Sequence, residues 1–191
     1  MTLAQSLLRV ALATALLLLI PLVAMQFTHE VVWTFSDFVV AGGLLFGAGA
    51  SYVLLARMGS GGTYRLAVMV AVLAGFLLVW ANLAVGLVGS EHNPMNLLYG
   101  SVLAVALMGA FGARFRPLGM ARAMFGAALT YALVTALALF VWPPAGATAE
   151  PAANFVNVLV ANAVFALLWA LAGWLFRRAG TTGSTLSRQL A

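Results

Sequence analysis

The chain has 191 residues, 64% of them hydrophobic and only 7% charged, with a mean hydropathy of +1.09. A soluble domain carries about 25% charged residues, so that class is excluded, and six membrane spans of roughly 20 residues each would use nearly all the apolar content and leave no second, soluble domain. Cysteine is absent, which removes disulfides, thiolate metal sites and cysteine nucleophiles, and the net charge of +5 comes from nine arginines against four acids with no lysine.

Apolar runs of helix length fall at 10–25, 38–56, 66–88, 95–111, 123–142 and 155–176, followed by a short tail at 177–191. This predicts a single all-α domain, a bundle of six transmembrane helices. The first run follows Arg9 and resembles a signal segment, but it keeps the charge pattern of the later helices and is expected to stay in the protein. Thr34 to Asp37 has the spacing of a capping box at the start of the second helix. Along that helix Gly43, Gly47 and Ser51 form a stripe of small residues that lets backbones approach, with internal packing the expected use. Asn93-Pro94 reads as a cap followed by proline at the first position of the fourth helix, which carries a second small stripe at Ser101, Gly109 and Ala113. Phe27, Trp33, Tyr99 and Trp142 are placed near one membrane interface and Tyr64, Phe115 and Trp174 near the other.

Charge sorts the turns. Arg9, Arg57, Arg65, Arg114, Arg116, Arg122, Arg177, Arg178 and Arg188 all fall on one side of the predicted bundle. Glu30, Asp37, Glu91 and Glu150 fall on the other, with both histidines, His29 and His92. The positive-inside rule then puts both termini in the cytoplasm. The arginines are explained by topology, so the lipid bilayer and not nucleic acid is the expected partner.

The outward turns gather Glu30, Trp33, Asp37, Glu91 and Asn93. If the first and third of these turns meet, their carboxylates make an acidic mouth that attracts cations or basic partner segments. His29 and His92 add imidazoles, and such a set can hold zinc or copper, although the histidines have no ligand spacing along one helix. Inside the membrane no ionisable side chain lies at the centre of any run, which counts against ion-coupled transport. Neutral polar groups remain at one depth: Asn82, Thr135 and Asn162 lie about 9–10 Å from the outer ends of their helices, with Tyr131 a turn below Thr135. They either line a vestibule that hydrogen-bonds a small solute or bond one another across helices, as buried Asn and Thr do in membranes. No phosphate-binding glycine loop, nucleophile elbow or zinc-protease motif is present, so no enzymatic activity and no cofactor is expected.

Two segments, FTHEVVWTFSDFVVAGGLLFGAGASYVLLAR from Phe27 to Arg57 and LLVWANLAVGLVGSEHNPMNLLYG from Leu77 to Gly100, resemble a family of small uncharacterised bacterial inner-membrane proteins. The likeness rests on Glu30, Trp33, Asp37 and Phe38, then Trp80, Asn82, Gly89, Ser90, Glu91, Asn93, Pro94 and Asn96. It implies a bacterial inner-membrane location and no particular activity. At His29 and His92 similar members more usually carry an acid, which counts against an imidazole metal site. The residues point first to a non-enzymatic protein whose acidic outer surface binds a partner as an accessory subunit or a second copy of the chain. A solute facilitator along the polar layer and an outward divalent-metal site are the alternatives.

Overall fold

The computed structural model describes residues 2–88, 93–141 and 155–189. Among them the chain is all-helical: α1 (Leu3–Phe27), α2 (Phe35–Leu55), α3 (Gly62–Ala84), a 3-10 turn (Pro94–Tyr99) running into α4 (Gly100–Gly112), α5 (Pro117–Phe140) and α6 (Phe155–Gln189). Six helical segments, the fourth being the 3-10 turn together with α4, are long and apolar enough to cross a membrane. The chain forms two compact units, 1–57 and 58–191.

The first unit is the α1–α2 hairpin. α1 begins seven residues before the expected 10 because Thr2 and Gln5 form a capping box, the Gln5 N–H donating to Thr2 Oγ1 and the Thr2 N–H to Gln5 Oε1. That Thr-x-x-Gln signal was present in the sequence. At the start of α2 the Thr34 N–H and hydroxyl both donate to Asp37 Oδ2 at 2.7 Å. The hairpin closes where α2 has no side chain to obstruct it: a Cβ at Gly49 would press on Val10, and one at Gly42 would lie 3.2 Å from Leu18. The expected stripe of Gly43, Gly47 and Ser51 is therefore not the face that α1 uses. All three residues are exposed, and a Cβ at Gly43 or Gly47 would meet nothing within 4 Å. The α1 contact falls one and two residues along the helix, which turns it to a different face. Gly43→Ala and Gly47→Ala are accordingly expected to raise stability by up to about 1 kcal/mol each through helix propensity. Thermal unfolding in detergent checks this, and a loss of stability would show that the stripe is packed against something.

In the second unit α5 packs against both α4 and α6, and α3 packs against α6. The interior is built from small side chains, including Ala67, Ala74, Ala106, Ala110, Ala127 and Ala172, while Leu107, Phe111, Leu129, Leu133 and Leu167 point outward. This is the pattern expected where lipid is as apolar as leucine and close backbone approach holds the helices together. Gly109 of α4 lies against Ala123 of α5, and Gly119 against Ala113, so of the stripe predicted on the fourth helix Gly109 and Ala113 pack internally, whereas Ser101 is exposed and donates to the Leu98 carbonyl.

The ends of the helices differ from expectation for local reasons. α3 stops at Ala84 and not 88, because Gly86 adopts φ +74° and turns its N–H back to the Ala81 carbonyl. The fourth segment begins as 3-10 and not α. α5 begins at Pro117 and not 123, since proline at the first position starts the helix at the turn itself. Between them Arg114 and Phe115 both take positive φ, 49° and 57°, a conformation costing about 1–2 kcal/mol per non-glycine residue. The Tyr64 hydroxyl, donating to the Phe115 carbonyl at 3.3 Å, helps hold that turn. The expected tail after 176 continues α6 as far as Gln189. With 35 residues this helix is about 52 Å long, well beyond a hydrocarbon core of about 30 Å.

Candidate functional site

Two groups of residues carry the chemistry proposed from the sequence. In the first unit the α1–α2 turn holds His29 and Glu30, both exposed, with the Glu30 N–H on Thr28 Oγ1 at 3.1 Å. Trp33 packs edge-on against Phe38, ring centroids 5.2 Å apart, which orders the aromatic beside the acids. Asp37 spends Oδ2 on the α2 cap. Glu91, His92 and Glu150 lie outside the described residues, as do Gly89, Ser90 and Trp142 and the side chain of Asn157. Asn93, half-buried in the second unit, accepts from the Met95 N–H at 3.0 Å and so caps the 3-10 turn. Among the described residues no three histidines or acids gather where they could hold a metal ion.

The second group is the polar layer, and its geometry follows from the 3-10 turn. In a 3-10 helix side chains three apart eclipse, so Asn96 and Tyr99 enter the core on the same side, 2% and 0% exposed. An α-helix from residue 95 would have rotated them about 60° apart. Tyr99 is therefore not an interfacial ring as expected but part of the core, and Tyr64, 1% exposed, is another.

Asn162 of α6 is the hub. Its Oδ1 accepts from the Tyr99 and Tyr131 hydroxyls, each at 2.9 Å, and its Nδ2 donates to the carbonyls of Val158 at 2.8 Å and Leu87 at 3.2 Å. Both lone-pair sites and both amide hydrogens are thus used. Thr135 lies 3.1 Å from the Tyr99 oxygen and bonds the Tyr131 carbonyl at 3.0 Å. Asn82 reaches this cluster indirectly. Its Nδ2 donates to the Asn96 carbonyl at 2.8 Å, and Asn96 Oδ1 accepts from the N–H groups of Leu87 and Val88. Leu87 thus receives the chain from Asn96 and passes it on to Asn162. Asn82 and Asn96 also border a small cleft of about 210 Å³ whose other walls are mostly apolar.

Sequence reasoning placed Asn82, Tyr131, Thr135 and Asn162 in one layer but missed Tyr99 and Asn96 as members. The spacing Asn93–Asn96–Tyr99 after a cap and proline was the signal that would have found them. About two turns from Asn162 along α6, the Trp169 indole N–H is buried and is the only such side-chain donor without a partner among the described residues.

Six helices long and apolar enough to cross a membrane, together with a buried, hydrogen-bonded polar cluster inside the second unit, define a multi-pass α-helical membrane protein. No family model matches the chain, and neither the curated proteins nor the solved structures contain a match.

Proposed function

We propose that the protein is a bacterial inner-membrane accessory subunit, without catalytic activity of its own, that engages a partner protein through its acidic outward turns, with Glu30, Trp33 and Asp37 in the first unit and Glu91 and Asn93 in the second. Arginine asymmetry orients it with both termini in the cytoplasm, and the likeness in the Phe27 and Leu77 segments supports the bacterial inner membrane. The observation that carries this reading is the saturation of Asn162: the buried hydroxyls and amides are spent on one another and hold the bundle together. A solute path through that layer would have to break these bonds, which counts against a facilitator. Recognition then falls to the exposed turns, where the Glu30 carboxylate has no hydrogen-bond or ion-pair partner among the described residues.

Mild-detergent extraction from native membranes is expected to recover a stoichiometric partner. Glu30→Gln combined with Glu91→Gln should lower its recovery several-fold, most strongly at low salt, where the charge attraction they remove is least screened. A chain that always elutes alone, or a partner indifferent to both substitutions, would overturn the proposal.

A further inference from the structure

The opposite end of the second unit holds a half-open cavity of about 690 Å³, within the size range of small-ligand sites. Its walls are the turn before α3, the start of α5 and the last third of α6. The walls are packed as closely as glycine permits: a Cβ at Gly59 would lie 2.6 Å from the Tyr64 ring, and one at Gly180 would lie 2.8 Å from Leu118. The space is therefore bounded by tight contacts and is not a slack region between helices.

The lining is basic and neutral. Arg116 borders it, with Ser60 and Thr63 supplying hydroxyls, and no carboxylate lines it among the described residues. The guanidinium of Arg116 has no hydrogen-bond or ion-pair partner among the described residues. An arginine beside a cavity lacking any acid calls for an anion, and its planar fork suits phosphate. Two helix starts add to the same field. α3 begins after Gly61 and α5 after Arg116, and neither has a side-chain cap on its first N–H groups. Met58, Pro117 and Leu118 make the rest of the wall apolar, which suits a phosphate attached to a hydrocarbon body better than a free ion.

From these features we infer that the cavity is a binding site for the phosphodiester headgroup of an anionic phospholipid. Arg116 faces the phosphate, and the apolar wall faces the glycerol and the start of the acyl chains. The site shares no residue with the acidic turns, and its test does not depend on the partner reading.

Native mass spectrometry of the full chain in detergent, titrated with dioleoyl-phosphatidylglycerol, is expected to show one retained lipid. Its apparent affinity should be at least tenfold above that of dioleoyl-phosphatidylcholine. Arg116→Gln should lower it about tenfold, and Ser60→Trp, which fills the cavity from an exposed turn, should abolish retention. Arg114→Gln, outside the cavity lining, should change it less than twofold. Equal retention of the two lipids, or an unchanged affinity in both Arg116→Gln and Ser60→Trp, would overturn the assignment. Saturable binding of inorganic phosphate that displaces no lipid would overturn the lipid source.

Discussion

Asn162→Leu is expected to destabilise the second unit by about 2–3 kcal/mol, although it exchanges a polar for an apolar side chain inside a membrane protein. Single interhelical hydrogen bonds in membranes average about 0.6 kcal/mol and reach about 1.7, so one lost bond would not account for this. Leucine at 162 would strand the Tyr131 hydroxyl and the Leu87 carbonyl, both now bonded to that one amide, and would leave the Tyr99 hydroxyl with Thr135 as its remaining partner. Buried groups left without partners cost about 1–3 kcal/mol each in proteins, and the network is coupled, so the losses do not simply add. Tyr131→Phe removes one donor and leaves Oδ1 with Tyr99, so its cost should be near 0.6 kcal/mol. Unfolding in mixed micelles, followed by circular dichroism, separates the two variants. If both match the parent chain, water already occupies the layer and competes for its bonds, and a solute path becomes the better reading.

The second large effect concerns the α4–α5 contact. Gly109→Ala places a Cβ 2.6 Å from Ala123 Cβ and 3.1 Å from its Cα, so the neighbour cannot swing away as a flexible side chain would. The two helices must separate, and overpacking of this kind costs about 1–3 kcal/mol, partly offset by a helix-propensity gain of up to about 1 kcal/mol. Gly109→Leu exceeds what that offset can cover and is expected to cost more than about 3 kcal/mol. Ala123→Gly combined with Gly109→Ala moves the methyl group to the other helix and should restore most of the loss. The same unfolding assay reads the cycle. A double variant no better than Gly109→Ala alone would mean that the cost lies in the local backbone of α4 and not in its contact with α5.

These two positions show where pattern reading succeeds in this protein. The α4 stripe was recognised from spacing, and Gly109 does meet a neighbouring helix. The equally regular α2 stripe of Gly43, Gly47 and Ser51 does not meet α1, which uses Gly42 and Gly49. Spacing reports that a face is smooth. It does not report whether a helix lies against it, because that depends on how the hairpin turn rotates one helix about the other.

The number of spans, the cap at Thr34 and the separation of arginines from acids are local properties of the chain. Length, hydropathy and charge within about 20 residues are enough to read them. The depth of Asn82, Thr135 and Asn162 was also within reach, since rise per residue converts position into depth. Their partners were not, because each bond joins residues far apart in the chain: Tyr99 to Asn162, Tyr131 to Asn162, and Asn162 to Leu87. The 3-10 turn that delivers Asn96 and Tyr99 to the core, and the cavity between the starts of α3 and α5, arise from three-dimensional packing. A one-dimensional pattern carries the apolar spans and the position of a residue along its helix, whereas azimuth and neighbours are settled only when helices distant in sequence come into contact.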